Sequence, residues 1–244
     1  MNRPIIFVGS RQGMAQLAVV ADLSGMQILG ILDHHYYGNT DTIADIPVIG
    51  DERWLLDPEN AQAKSWIEEC DFFPANYHNG SMVHQSLDIL RSERIDILEQ
   101  VGANVVNLIH PESKLYGLTS RYSDNSFKFG KGNFIDQGAT FHNDQVTIGD
   151  YCCFTWGTKI SHGTNIGNNC IFTPNTFYQE CDIGNNVFLG YNSEISPFAK
   201  ERISIGDQAT VWSKASVQKS VPANSIYTNK DRIVSKKALY STNE

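Results

Sequence analysis

The sequence has no apolar run near the ~20 residues of a membrane-spanning helix, no C-x-x-C pair and no G-x-G-x-x-G. The first absence excludes a transmembrane span. The second, with five cysteines of which Cys152 and Cys153 are adjacent, leaves neither a zinc ribbon nor a disulfide framework. The thiols read as reduced, in a cytoplasmic protein. The third removes the dinucleotide fingerprint, and NAD with it. Positive charge is also short. Nineteen Lys and Arg against 27 Asp and Glu leave a formal charge of −8, which speaks against a sequence-independent nucleic-acid binder or a partner for anionic membranes. The apolar run Ile5-Ile6-Phe7-Val8 is too short for a secretory h-region and is followed at once by Gly9-Ser10-Arg11-Gln12-Gly13.

What is present falls into two halves with different periods. Over the first ~105 residues short apolar runs alternate with helical stretches. Ile5–Val8 reads as a buried strand, 14–23 as a helix and 27–32 as a second strand ending at Asp33. A helix over 61–69, a short strand at Phe72-Phe73, a long helix over 82–101 and a strand over 105–109 complete the pattern. Strands alternating with helices imply a parallel sheet with covered faces, a small Rossmann-like unit.

After Asn107 the helical period disappears. Ile148, Phe154, Ile160, Ile166, Phe172 and Tyr178 fall every six residues, and Ile183, Leu189 and Ile195 repeat the step, as do Ile205, Val211 and Val217. Four places after each lead residue stands a small side chain, among them Cys152, Thr158, Thr164, Cys170, Thr176, Ser193, Ala209 and Ala215. Such a pattern predicts a parallel β-helix: three short strands per coil, lead residues stacked inside and small residues at the corners. Glycine or Asn is expected where a turn needs a positive φ. The surplus residues of 196–204 predict a loop from one corner, and 116–125 a longer one. In the hexad Ile160-Ser161-His162-Gly163-Thr164-Asn165 the lead and corner places are taken by Ile160 and Thr164, so His162 projects outward. His142, one coil earlier, is a candidate for contact with an acceptor.

This layout resembles the NeuD/PglD-like bacterial sugar acyltransferases. The resemblance runs over roughly residues 4 to 220. It rests on Val106-Asn107-Leu108-Ile109-His110-Pro111 at the domain junction, on Ile160-Ser161-His162, and on the stretch from Ile183-Gly184-Asn185-Asn186 to Ser193. It implies an α/β Rossmann-like N-terminal domain (1–105) followed by a left-handed parallel β-helix of hexapeptide repeats (106–229), with a basic tail (230–244). It further implies a homotrimer, acetyl-CoA as co-substrate, no metal, and His162 as the general base, a role for which an imidazole needs no large pKa shift. The acidic residue usual beside that histidine is replaced by Ser161 and Gly163, which leaves Asp144 or Glu180 from other coils as the nearest carboxylates. Ile171 stands where a second histidine is usual in the N-acetyltransferases.

By position, coenzyme A is expected along Gln179, Gly190, Tyr191, Ser213 and Lys214, with Lys219, Lys230, Arg232, Lys236 and Lys237 supplying positive charge. Tyr191 and Trp212 project outward, either to pack a trimer or to stack on a ligand. A nucleotide-linked acceptor is expected at Gly9, Ser10, Gln12, Asp33 and Asn76, the first three in a glycine-bounded turn before a helix. The expected activity is acetyl-CoA-dependent N-acetylation of a nucleotide-linked amino sugar for bacterial surface glycans. O-acetylation of a sialic-acid-like sugar and a non-catalytic nucleotide-sugar-binding role are the alternatives.

Overall fold

In the computed structural model, residues 3–10, 13–75, 85–116, 127–142, 145–196 and 199–236 are described, residues 85–91 by their backbone alone. The chain divides into two units, Met1–Pro111 and Glu112–Glu244.

The first unit is built on β1 (Ile5–Val8), every residue of which is buried. Around it stand α1 (Met14–Leu23), β2 (Ile28–Leu32), β3 (Thr42–Ile43), β4 (Ile46–Gly50), α2 (Ala61–Glu69), β5 (Asp71–Pro74) and α3 (Gln85–Gln100). The sheet order is β3-β4-β2-β1-β5. Helix α1 turns Met14, Leu17, Val20 and Ala21 inward, which is the spacing of one helical face. Asn60 caps α2, its side chain accepting from the Ala63 amide at 3.0 Å, as a short polar side chain does at an N-terminus.

The Rossmann-like expectation is corrected here. After β2 the chain reaches β4 through the antiparallel β3–β4 hairpin, not through a helix. The strand expected over 105–109 is cut short: Val105 touches the sheet edge only by an isolated parallel bridge to Phe72, and Leu108–Ile109 is the part that is strand. The part of the expected long helix before Gln85 lies outside the described residues.

The second unit is a prism of very short parallel strands on three faces. One face runs through Lys114–Leu115, Thr140–Phe141, Lys159–Ile160, Phe177–Tyr178, Glu194–Ile195 and Ser216–Val217. The next takes Lys128–Phe129, Thr147–Ile148, Asn165–Ile166, Cys181–Ile183 and Ile203–Ile205. The third takes Phe134–Ile135, Cys153–Phe154, Ile171–Phe172, Phe188–Leu189, Thr210–Val211 and Ser225–Tyr227. The pairings between coils are parallel, which satisfies the backbone of strands only two or three residues long. Lead side chains fill the interior, where Phe154 stacks on Phe172 at 4.7 Å and meets Phe141 edge-on at 4.9 Å. Tyr178 is fully buried and its hydroxyl lies 2.8 Å from Ser193 Oγ; burial pushes the phenol pKa well above its ordinary value.

The label of a left-handed β-helix of hexapeptide repeats is corrected to this three-faced prism. Side chains one coil apart are separated by 17, 18, 19 or 22 residues, so the six-residue step is not kept. The last strand, Ile233–Ser235, runs antiparallel to Ser225–Tyr227.

Glycine and asparagine both take left-handed positions in the prism, among them Gly138, Gly157, Gly163, Asn169, Asn186 and Asn192, but the glycines of the Ile-Gly pairs do not. Gly149, Gly167 and Gly184 are required by close approach: a Cβ would come within 2.3, 2.7 and 2.3 Å of Asn168, Asn185 and Asp207 Oδ1. Those oxygens form a ladder up one corner. Asn168 Oδ1 accepts from the Asp150 amide at 2.9 Å, Asn185 Oδ1 from Asn168 at 2.8 Å, and Asp207 Oδ1 from Asn185 at 2.7 Å. Substituting Asn185 by Ala leaves the Asn168 amide without its acceptor. A loss of about 1 kcal/mol is expected on chemical denaturation, and an unchanged midpoint would show the ladder to be idle.

Among the described residues, no helix is long and apolar enough to cross a membrane.

Candidate active site

His162 stands where the strand Lys159–Ile160 gives way to a prism corner. Ile160 is buried, while the His162 side chain is 50% exposed. The imidazole is held on one side: Nδ1 lies 3.0 Å from Ser161 Oγ. On the other side Nε2 lies 3.6 Å from Glu180 Oε1, beyond hydrogen-bond length. The His142 ring meets the His162 ring edge-on at 6.3 Å, and Tyr116 meets His142 at 6.4 Å. The His142 amide donates to Ile160 O at 2.9 Å, which places His142 in register with Ser161. The two histidines are therefore diagonal neighbours along this edge.

Glu180 reaches His162 because its corner is one residue short. Three places before the leads Ile148, Ile166 and Ile183 stand Gln145, Gly163 and Glu180, all left-handed, with φ of 51, 64 and 45°. Between the leads Tyr178 and Ile183 there is one residue fewer than between Ile160 and Ile166. Glu180 thus takes the place under His162, donating its amide to His162 O at 3.0 Å, as well as the left-handed place. Its Cγ would lie 3.5 Å from a Cβ on Gly163. The nearby Arg202 is committed elsewhere: its Nε and Nη2 donate to the Asp182 carboxylate at 2.6 and 2.7 Å. That hydrogen-bonded guanidinium pulls the Asp182 pKa down to about 2. Asp144, the other candidate carboxylate, lies outside the described residues.

Of the expected donor-site residues, four share one corner. The Lys214 amide donates to Tyr191 O at 2.7 Å, and a Cβ on Gly190 would lie 2.4 Å from the Ser213 amide nitrogen. Gln179 follows the strand on the adjoining face. The amides of Gly190 and Lys214 are already given to neighbouring coils. Tyr191 and Trp212 are exposed here, as is Trp156. Lys219 is paired with Asp231 at 3.3 Å, and Lys237 lies outside the described residues.

In the first unit, Gly9 and Ser10 form the turn after β1, with Gly9 left-handed at φ 86°; Gln12 and Asn76 lie outside the described residues. Asp33 is 1% exposed and its carboxylate is occupied. Oδ2 accepts from the Ser10 amide and hydroxyl, both at 2.7 Å, and lies 3.2 Å from Arg94; Oδ1 accepts from the His35 amide at 3.0 Å. Arg94, equally buried, also donates to Glu52 Oε1 at 2.9 Å, and Glu52 holds His34 Nδ1 at 2.6 Å. Asp33 with His34 and His35, and His34 with Asp51 and Glu52, bring metal-ligand atoms within 4.8 Å of one another. The guanidinium already seated between Asp33 and Glu52 opposes a further cation there. The Asp33–Arg94–Glu52–His34 network has no sequence signal, since its members are spread over the turn after β2, the short helical segment Glu52–Leu56 and α3.

The prism edge thus holds an outward histidine beside a carboxylate. No family model matches the chain, and no curated protein matches it. Among solved structures it is similar in fold to PerB from Caulobacter crescentus in complex with CoA and GDP-perosamine, with 18% identity, TM-score 0.71, and 95% of this chain and 97% of that one covered. It is similar to WeeI from Acinetobacter baumannii, at 16% identity, TM-score 0.66, and 96% and 100% coverage. It is also similar to the acetyltransferase domain of PglB from Neisseria gonorrhoeae, at 17% identity, TM-score 0.64, and 94% and 98% coverage. The assignment to the NeuD/PglD-like group is withdrawn on these findings. No family model supports it, and likeness at this identity carries the fold alone.

Proposed function

We propose that the chain is an acetyl-CoA-dependent N-acetyltransferase acting on a nucleotide-linked amino sugar in bacterial surface-glycan synthesis. The observation that carries this reading is the His162 edge: an exposed imidazole with Nδ1 engaged by Ser161 and Nε2 open, on a fold shared with a protein solved with CoA and GDP-perosamine. His162 Nε2 accepts a proton from the attacking nitrogen. The nitrogen bonds to the thioester carbonyl carbon, the C–S bond breaks, and the sulfur leaves as the CoA thiol. From the ammonium form of the acceptor, the balance is amide, CoA thiol and one released proton.

The acetyl-CoA chain is assigned to the corner of Gly190, Tyr191, Ser213 and Lys214, with Gln179 on the adjoining face. His142 is assigned to the acceptor, as is the Gly9–Ser10 turn of the first unit, with Asp33 shaping that turn from behind and Gln12 and Asn76 as further contacts. A homotrimer is supported by the prism's third face. Ile171 and Phe188, which precede leads on this face, stay partly exposed in the single chain, whereas the second face presents Lys128, Thr147, Asn165, Asp182 and Ser204. Free, buried cysteines suit a reducing cytoplasm, where acetyl-CoA is available. The test is release of CoA thiol from acetyl-CoA with a panel of UDP-, GDP- and dTDP-linked amino sugars. Nucleotide-sugar binding without thiol release by any of them would leave only a binding module.

A further inference from the structure

We infer that Glu180 recognises the protonated amino group of the acceptor and thereby selects amines over hydroxyls at this site, an inference that rests on the reading of His162 as the base. Glu180 Oε1 and His162 Nε2 face each other at 3.6 Å, with the two side chains 67% and 50% exposed. That separation is too long for a hydrogen bond, and both groups open to the same solvent region. Ser161 occupies Nδ1, so Nε2 is the nitrogen turned toward the carboxylate.

The charges around the pair point the same way. Among the described residues, Glu180 has no ion-pair partner other than His162. Arg202 is locked on Asp182 by two hydrogen bonds, and Asn165 donates to Asp182 as well, at 2.7 Å. His142 meets the His162 ring edge-on, and Tyr116 in turn meets His142. With a neutral imidazole, Glu180 stands beside the base nitrogen as a carboxylate that the Asp182-bonded Arg202 offsets only at longer range. A primary ammonium has three donors, one for Oε1 and one for Nε2. A hydroxyl offers a single proton and no charge, so it cannot serve both Oε1 and Nε2 and brings Glu180 no ion pair. In the reaction Glu180 holds the R–NH3+ form; His162 first removes one proton, and the freed lone pair then bonds to the thioester carbon. The sulfur departs as thiol and the second proton goes to solvent.

The backbone at Glu180 gives a clean control. Its φ of 45° is a left-handed conformation that Asn tolerates better than most side chains, so Glu180→Asn removes the carboxylate without disturbing the corner. With the amino-sugar nucleotide turned over fastest by the wild-type chain, Glu180→Gln and Glu180→Asn are expected to raise the acceptor KM about five- to tenfold, more than they lower kcat. Glu180→Asp is expected to recover part of the loss. Added salt raises the wild-type KM and leaves that of the Gln variant nearly flat, because the attraction it screens is gone. An unchanged KM in both neutral variants, or a loss confined to kcat, overturns the inference while the acetyltransferase reading stands on the His162 variant. A wild-type chain that turns over no amino sugar overturns both.

Discussion

Replacing His162 with Ala is expected to lower kcat/KM for acetyl transfer by about 10²–10⁴-fold, the usual worth of a positioned general base. The loss should fall on kcat, because the imidazole acts on the attacking nitrogen in the transition state and contributes little to holding either substrate. Folding should survive. The side chain is half exposed, its neighbours Ile160 and Thr164 carry the interior packing, and exposed substitutions away from caps and cores rarely move stability by more than about 0.5 kcal/mol. Circular dichroism and a melting curve establish the fold, and thiol release under saturating acetyl-CoA gives the rate. A variant within threefold of the parent removes His162 from the chemistry. The comparison with Ser161→Ala adds resolution: a modest loss there, with His162 intact, is what ring positioning through Nδ1 predicts.

The largest stability effect is expected at Arg94. Its guanidinium is 3% exposed and lies between two carboxylates that are 1% and 2% exposed. Arg94→Ala removes the only cation among the described residues that bridges Asp33 and Glu52, and strands two buried negative charges. Breaking a buried pair in this way costs about 3–5 kcal/mol. Lys is a poor substitute, because one ammonium cannot reproduce a planar fork that reaches both acids. The first unit, whose β1–α1 turn is tied to Asp33 through Ser10, should lose protection against amide hydrogen exchange throughout β1 and β2, and the prism strands should not. If exchange in β1 is unchanged, the network contributes less than its burial suggests.

Much of the prism could be read from the amino acids, for a local reason. Each lead side chain packs against its counterparts one coil away, so the demand for Ile, Phe or Leu recurs along the chain, and so does the demand for a small residue at the corners. Cys152, Thr158, Thr164, Cys170 and Thr176 are all wholly buried. The outward placement of His162 followed from the same register. Features without a period were harder to read. Glu180 stood out with Asp144 as a carboxylate candidate near His162, but the dropped residue that brings it to 3.6 Å looks like a flaw in the repeat. Asp33 was read as a ligand contact, yet its carboxylate is taken by Ser10, His35 and Arg94, the last of them on a distant helix. Strand β4 was missed because Pro47 and a two-residue hairpin arm stand where a helix would usually carry the chain across.

The antiparallel arm Ile233–Ser235 bears on how the prism holds together. A stack in which each coil pairs only with those above and below behaves as a one-dimensional zipper, in which fraying starts at whichever terminus is least well held. The amides and carbonyls of a final parallel strand would otherwise stand ready to template another chain. By folding back on Ser225–Tyr227, the arm presents that strand with a partner from its own chain and closes the zipper with a stop. Tyr227, whose hydroxyl donates to Asp231, pins the turn between them.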